Sequence, residues 1–429
     1  MLISLLDSVA CRYSSNLFTS AYLAVRCVFL PPAARANIPP SPVSDICVFF
    51  ANGDLGVPHE PAIGDIFLRR GFLQLLTDRY PGARISVVAG PNLLRRHGPI
   101  LSAYCGVHEL ITCPEVGPTS LFAWIRFFRN MRSRRFGLCI IDPDSITVRS
   151  MHAYLCGVPQ RIGLAMLPHD ARFLTSVVVL DAFSGPFPDL LARAIAWARA
   201  LGAEISADGR DFNPRFPFRS EPELLPLLPS PVVAVHVGGD KGWNRRWPLE
   251  KYAQLCARLC SEAGASIYLV GGPEESQECE YVRAHVMASH PLAHISNVSG
   301  ATLNQTANYV SRAALFIGND SGPMHLSAAL RTPVVVPMGP TIAHMWERVY
   351  DGQAVRADPA HFPSDAPYDP DPARVCNCPF KCALGFDAQS PVYPQCLAAI
   401  AVEAMWNAAI PRLKKVSAAQ AREAGSQRC

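Results

Sequence analysis

From Ile46 onward, short runs of apolar residues alternate with longer stretches in which apolar positions recur at helical spacing. The runs Ile46–Phe50, Arg84–Ala89, Leu138–Ile141 and Val177–Leu180 predict strands. The periodic stretches predict helices over Ile66–Arg79, from about Asn92, over Leu121–Arg132 and over Pro188–Leu201. The pattern lapses between Gly209 and Pro231, a stretch rich in Pro and Phe that reads as a linker. It then restarts, with strands Val232–Val237, Ser266–Val270, Ala314–Gly318 and Val334–Pro337. Helices are expected over Leu249–Ala263 and from Glu274, Leu303 and Pro323. Strands that are apolar throughout, without alternation, belong to sheets covered on both faces, as parallel sheets are. Two successive series of this kind predict an α/β chain of two Rossmann-like halves.

A chain of 429 residues, 49% hydrophobic and 17% charged, is long enough for two cores and too apolar for disorder. The expected division is an N-terminal apolar or amphipathic segment with a Pro-rich linker (1–44), a first domain over 45–215, a second over 216–410 and a polar tail over 411–429. A net charge of +4 gives no reason to expect nucleic acid as a partner. Basic residues do concentrate in Arg126-Phe-Phe-Arg-Asn-Met-Arg-Ser-Arg-Arg135 and at Arg95-Arg96. Either a solvated helix face or a contact with an anionic acceptor or membrane surface accounts for them. No run reaches the roughly 18 apolar residues of a spanning helix. Leu2, Ile3, Leu5, Leu6 and Val9 lie at helical spacing, which fits a segment lying on a membrane or docked on a domain. A signal peptide ending near Ala34-Arg35-Ala36 and a misassigned start are the alternatives.

Candidate chemistry gathers at the ends of the expected strands. Phe316-Ile-Gly-Asn-Asp-Ser-Gly-Pro-Met-His325 reads as a buried strand, a tight turn and a helix beginning near Pro323. Free N–H groups and the helix dipole favour an anion there, beside Asp320, Ser321, Gly322 and His325. In His236-Val-Gly-Gly-Asp-Lys-Gly-Trp-Asn-Arg-Arg-Trp-Pro248, Gly238 and Gly239 let a ligand approach the backbone, and Arg245 and Arg246 offer paired donors for phosphate. Leu269-Val-Gly-Gly-Pro-Glu-Glu275 again leads from strand to helix, and Glu275 is placed to accept from ribose hydroxyls. In the first half, Gly64-Asp65 opens a helix after the first long loop. Asp65 there is either a helix cap or a base for an acceptor hydroxyl.

Together these elements resemble glycosyltransferase family 9, the lipopolysaccharide heptosyltransferases, over about Ile46 to Asn407. The most specific marks are Asn319-Asp-Ser-Gly-Pro-Met-His-Leu-Ser-Ala-Ala329, Thr332-Pro-Val-Val-Val-Pro-Met-Gly-Pro-Thr341 and the Arg-Arg-Trp-Pro element, with Ile63-Gly-Asp-Ile and Arg161-Ile-Gly163 in matching order. The resemblance implies a GT-B architecture, two Rossmann-like domains facing each other across a cleft. It also implies inverting transfer of heptose from ADP-heptose to a lipid-linked or glycan acceptor, without a required cofactor. By the same analogy Asp65 is the base, Arg245 holds donor phosphate and Glu275 binds the adenosine ribose. Asp320, Ser321, Gly322 and His325 would then form the donor turn. The implied setting is the cytoplasm, with peripheral contact to the inner membrane.

Two features depart from the family pattern. The first strand is followed by a longer loop, in which Asp54 and Glu60 are rival acids, and Gly238-Gly239 stands where relatives often carry Ser or Thr. Cys376, Cys378, Cys382 and Cys396 could supply four thiolates to a structural zinc or iron, although the first gap is shorter than the usual C-x2-C and reduced structural thiols are the favoured reading. Other functional readings are transfer from another nucleotide sugar, a protein acceptor, or a non-catalytic nucleotide-sugar-binding protein.

Overall fold

The structure is a computed structural model that describes residues 34–35, 43–50, 63–114, 121–141, 147–164, 173–178, 190–206, 209–221, 223, 226–239, 245–339, 346, 349–357 and 395–426. The chain forms two units, Met1–Phe212 and Asn213–Cys429.

In the first unit the strands are β1 (Ala34–Arg35), β2 (Asp45–Phe49), β3 (Arg84–Ala89), β4 (Glu109–Thr112), β5 (Leu138–Ile141), β6 (Gln160–Leu164) and β7 (Ser176–Val178). They form one parallel sheet in the order β1-β7-β6-β5-β2-β3-β4. The helices are α1 (Ile63–Arg79), α2 (Pro91–Tyr104), α3 (Leu121–Ser133), α4 (Thr147–Leu155) and α5 (Leu190–Ala200). Leaving β2, the chain runs outward through β3 and β4, then returns to lay β5 against the other side of β2. The carboxyl ends of β2 and β5 therefore mark a topological switch point, where open α/β sheets present ligand groups. Burial explains the strand sequences, since Ile46 to Phe50 and Leu138 to Ile140 are completely covered. The edge strand β4 and the short helix α4 are too brief and too polar to announce themselves in the sequence.

The second unit holds β8 (Val232–His236), β9 (Ser266–Leu269), β10 (Ile295–Asn297), β11 (Leu315–Gly318), β12 (Val334–Pro337) and β13 (Gly352–Val355). Their order is β10-β9-β8-β11-β12-β13, again all parallel. The helices are α6 (Leu249–Ala263), α7 (Ser276–Ser289), α8 (Leu303–Ser311), α9 (Gly322–Ala329), α10 (Gln395–Ala398) and α11 (Val402–Ser426). The switch point lies between β8 and β11, where Gly318 pairs in register with His236. Helix α6 ends on Gly264, whose φ of 61° suits glycine, and α8 opens with a Thr302–Gln305 capping box.

One expectation is corrected and one is filled in. The polar tail over 411–429 is instead helical through Ser426. Val402, Met405, Ala409 and Leu413 form an apolar stripe, and Met405 and Leu413 are buried in the same core as Val335 and Val355. Pro411, inside this helix, disguises the stripe in the sequence. The linker expected over Gly209–Pro231 contains the division between the units, after Phe212, and is anchored by burial and hydrogen bonds. Phe212 and Phe216 are buried, Phe216 N–H donates to Ala329 O, and Asn304 and Asn308 bind the backbone of Arg219 and Glu221. Among the described residues, no helix is long and apolar enough to cross a membrane.

Candidate active site

The second unit brings three loops together at the carboxyl ends of β8, β9 and β11. Their keystone is Asn319, fully buried just beyond β11. Its amide nitrogen donates to Val237 O at 3.1 Å and Gly238 O at 2.7 Å. Its oxygen accepts from Trp247 N–H at 3.0 Å and the Tyr252 hydroxyl at 2.9 Å. One side chain thereby ties the Gly-Gly turn, the Arg-Arg-Trp-Pro element and α6 to the end of β11. Behind it, Trp247 Nε1–H and the Lys251 ammonium both donate to Ile400 O, which fixes the C-terminal segment to the same place.

Around this keystone runs a hydrogen-bonded chain. Glu275, 6% exposed, accepts from Gly239 N–H at 2.6 Å through Oε1 and from Gly272 N–H at 2.8 Å through Oε2. The same Oε2 lies 3.1 Å from His236 Nε2, and His236 Nδ1 lies 3.0 Å from Ser321 Oγ. Burial disfavours the charge on Glu275, but the His236 ring and the two backbone N–H groups outweigh it and hold the carboxyl down at about 2. The glycines are required by the carboxylate itself. A Cβ on Gly238 would stand 1.9 Å from Glu275 Oε1, and one on Gly271 2.7 Å from Oε2.

Ser321 sits at the N-cap of α9 but does not cap it. Its hydroxyl instead donates to Asn319 O at 3.0 Å and faces His236. With the side chain turned away and Pro323 in the first turn, the positive end of the helix is left for another acceptor. Beside it, Asp320 Oδ2 lies 3.4 Å from Arg245 Nη1. Asp320 is 6% exposed, and its Oδ2 has no hydrogen-bond partner among the described residues. Apart from that ion pair the oxygen keeps its lone pairs open, which lets it accept from a ligand hydroxyl. His325 Nδ1 meets the Tyr350 hydroxyl at 2.8 Å, so this ring is oriented one turn into the same helix.

The structure thus gathers Gly238, Gly239, Arg245, Glu275, Asp320, Ser321, Gly322 and His325 at one switch point. Arg246 is placed differently from its neighbour. It is 4% exposed, pairs with Glu278 at 3.2 Å and donates to Gly239 O, so it holds the Gly-Gly turn from behind. Asp65 belongs to the first unit, as the third residue of α1 beyond the switch point of β2 and β5. Asp54 and Glu60 lie outside the described residues, as do Cys376, Cys378 and Cys382. Cys396 is described and is buried in the core of the second unit. The sequence marks neither Asn319 nor Glu278 as a site builder. An amide at the end of a fully apolar strand was the available signal, because such a group must be hydrogen-bonded when buried.

Two parallel, doubly wound units, the second with a cationic and helix-terminal cradle at its switch point, define a protein of two Rossmann-like domains. Residues 202–357 match the family model described as glycosyltransferase family 9 (heptosyltransferase). That match spans 156 of the 429 residues and makes the chain similar to glycosyltransferase family 9. It is 27% identical over 298 residues to lipooligosaccharide heptosyltransferase 2 of Haemophilus ducreyi, covering 65% of this chain and 81% of that one. Lipopolysaccharide heptosyltransferase 2 of Escherichia coli is likewise 27% identical over 301 residues, covering 65% and 80%. Among solved structures, the fold is similar to that of E. coli ADP-heptose LPS heptosyltransferase II, with a TM-score of 0.55, 20% identity and coverage of 86% and 99%. It is also similar to a family 9 glycosyltransferase from Veillonella parvula, with a TM-score of 0.56, 17% identity and coverage of 87% and 97%. The architecture is accordingly GT-B.

Proposed function

We propose that this chain is an inverting heptosyltransferase that moves heptose from ADP-heptose to a lipopolysaccharide-core acceptor. The observation that carries this reading is the pairing of buried Asp320 with half-buried Arg245 at the uncapped start of α9. It offers a guanidinium and helix N–H groups for a diphosphate, with a carboxylate oxygen beside them for a sugar hydroxyl. The names of the relatives supply the sugar and the acceptor class.

In this scheme Asp65 takes the proton of the acceptor hydroxyl as that oxygen attacks the anomeric carbon. The bond to the donor phosphate breaks, and the charge developing on ADP falls on Arg245 and the start of α9. That charge is met by protein groups, so the scheme calls for no metal. Glu275 has both oxygens engaged, which gives it two tasks: it fixes the Gly239 and Gly272 turns, and its remaining lone pair receives a ribose hydroxyl. The lipid anchor of the acceptor puts the reaction at the cytoplasmic face of the inner membrane.

A nucleotide-sugar screen by thermal unfolding tests the donor. A donor present at about 100 times its Kd adds roughly 2.7 kcal/mol of apparent stability. ADP and ADP-heptose should raise the midpoint, while UDP- and GDP-sugars should not. Stabilisation by a UDP-sugar in preference to ADP-heptose would replace the donor assignment.

A further inference from the structure

Helix α3 of the first unit has an outer face that packs on none of the core described for its domain. Its inner face carries Trp124, Phe127, Phe128 and Met131, packed against the sheet core around Phe49 and Cys139. At 100° per residue the line opposite that face runs through Phe122, Ile125, Arg126 and Arg129. Phe122 is 81% exposed and Ile125 45% exposed, and both arginines are exposed. A phenyl ring that open, beside a second branched apolar side chain, is unusual on the outermost line of a surface helix. The charge on this element is of one sign, with five arginines and no acid between Leu121 and Gly137. Arg132 is turned back to Leu155 O, and Arg134 pairs with Glu109 at the β4 edge. Arg126 and Arg129 are left to carry the outer line.

We propose that the outer line of α3 docks this protein on an anionic bilayer surface, Phe122 and Ile125 entering the acyl boundary while Arg126 and Arg129 meet lipid phosphates. Apolar side chains at one end and cations along the rest are the pattern of a helix lying in the headgroup plane. A soluble phosphorylated sugar would satisfy the arginines and leave Phe122 in water. A second copy of the same face would bring like charges together across a two-fold axis. The helix needs no coupled folding to bind, because its inner face is already fixed by the core. The inference deepens the proposed function, whose acceptor is lipid-anchored, but its geometry is independent of the donor site.

Flotation of the full chain with vesicles tests it, comparing phosphatidylcholine alone with phosphatidylcholine containing phosphatidylglycerol. The wild type should float with the anionic vesicles and stay behind with the neutral ones. Arg126→Gln/Arg129→Gln should lower partitioning roughly 30-fold, from about one kcal/mol per basic residue at an anionic surface. Phe122→Ser should lower it roughly ten-fold. Arg219→Gln/Arg283→Gln, which removes equal charge from the second unit, should change it by less than about two-fold if the face is specific. All variants alter exposed or half-exposed side chains and should keep the wild-type unfolding midpoint. Equal flotation of the wild type and both α3 variants would place any anchoring elsewhere in the chain and overturn the assignment. Release of the wild type by inorganic phosphate, at ionic strengths where sodium chloride has no effect, would also overturn it in favour of a soluble phosphate ligand. Stabilisation by ADP-heptose is read without vesicles, so failure of the donor reading and failure of this one are distinguishable.

Discussion

His236 Nε2 and Glu275 Oε2 meet at 3.1 Å, joining the end of β8 to the turn that follows β9. This contact, with two backbone N–H groups, keeps the Glu275 carboxyl at about 2 against an ordinary 4.5. A folded-state value below the unfolded one means stability that is complete above about pH 4.5 and is lost as pH falls towards 2. The difference corresponds to roughly 3 kcal/mol. Glu275→Gln should therefore be less stable than the wild type near neutrality, by an amount of that order, and the gap should close as the pH falls through that interval. Urea unfolding of both proteins across the interval checks this. A gap that stays constant would show that Glu275 acts through packing, with its charge irrelevant.

Gly238→Ala should be among the most damaging small changes in the second unit. Its Cβ would stand 1.9 Å from Glu275 Oε1, so the carboxylate must leave Gly239 N–H or the turn must open. Overpacking of this kind costs about 1–3 kcal/mol, and here it also disturbs the donor loops. Calorimetry should record a lower midpoint together with weaker nucleotide binding. An unchanged midpoint with full binding would contradict the tight seat assigned to Glu275.

Asn319 gives a graded test of the keystone. Asn319→Ala leaves Trp247 N–H and the Tyr252 hydroxyl without their buried acceptor, at about 1–3 kcal/mol for each group left unsatisfied. Asn319→Asp keeps that acceptor but turns an oxygen towards Val237 O and Gly238 O, where the amide had donated. The aspartate should be at least as destabilising as the alanine near neutral pH and should recover on acidification, because its protonated form can donate to one carbonyl. Denaturant midpoints at two pH values decide this. Tolerance of Asn319→Asp at neutral pH would contradict the donor assignment of the amide.

Much of this framework was legible in the residues, and the exceptions have physical causes. Fully buried parallel strands such as Leu138–Ile141 and Val334–Pro337 are continuous apolar runs, so their limits could be read directly. Strand β10, with its three residues half-covered at a sheet edge, carries too little apolar content to stand out. The three glycine-bearing turns at the second switch point were visible because glycine and arginine at strand ends have few other uses. The roles within that group were less visible. Arg245 and Arg246 are adjacent and chemically identical, yet one pairs with Asp320 at the site and the other is buried behind Gly239. Only the fold separates them, sending one side chain to Asp320 and the other to Glu278 and Gly239 O.

That separation predicts different phenotypes for the two arginines. Arg245→Ala should weaken donor binding by about 10- to 150-fold, the range for losing a charge-assisted contact, and Arg245→Lys should fall between it and the wild type. Arg246→Ala should act first on stability, because it leaves Glu278 without its cation and frees the Gly239 turn. Calorimetric titration with ADP, paired with thermal unfolding, distinguishes the two. Equal loss of affinity in both variants, without a difference in stability, would contradict their assigned placements.

Heptose transfer itself is the most direct measurement of the central claim. Purified protein, ADP-heptose and an isolated lipopolysaccharide-core acceptor should yield free ADP and an acceptor heavier by one heptose, read by mass spectrometry. Asp65→Asn should reduce that rate by about 10²- to 10⁴-fold while binding ADP as the wild type does, since a general base contributes on that scale. Wild-type turnover by Asp65→Asn would remove Asp65 as the base. No heptosylated product from the wild type, under conditions where ADP-heptose binds, would contradict the proposed activity.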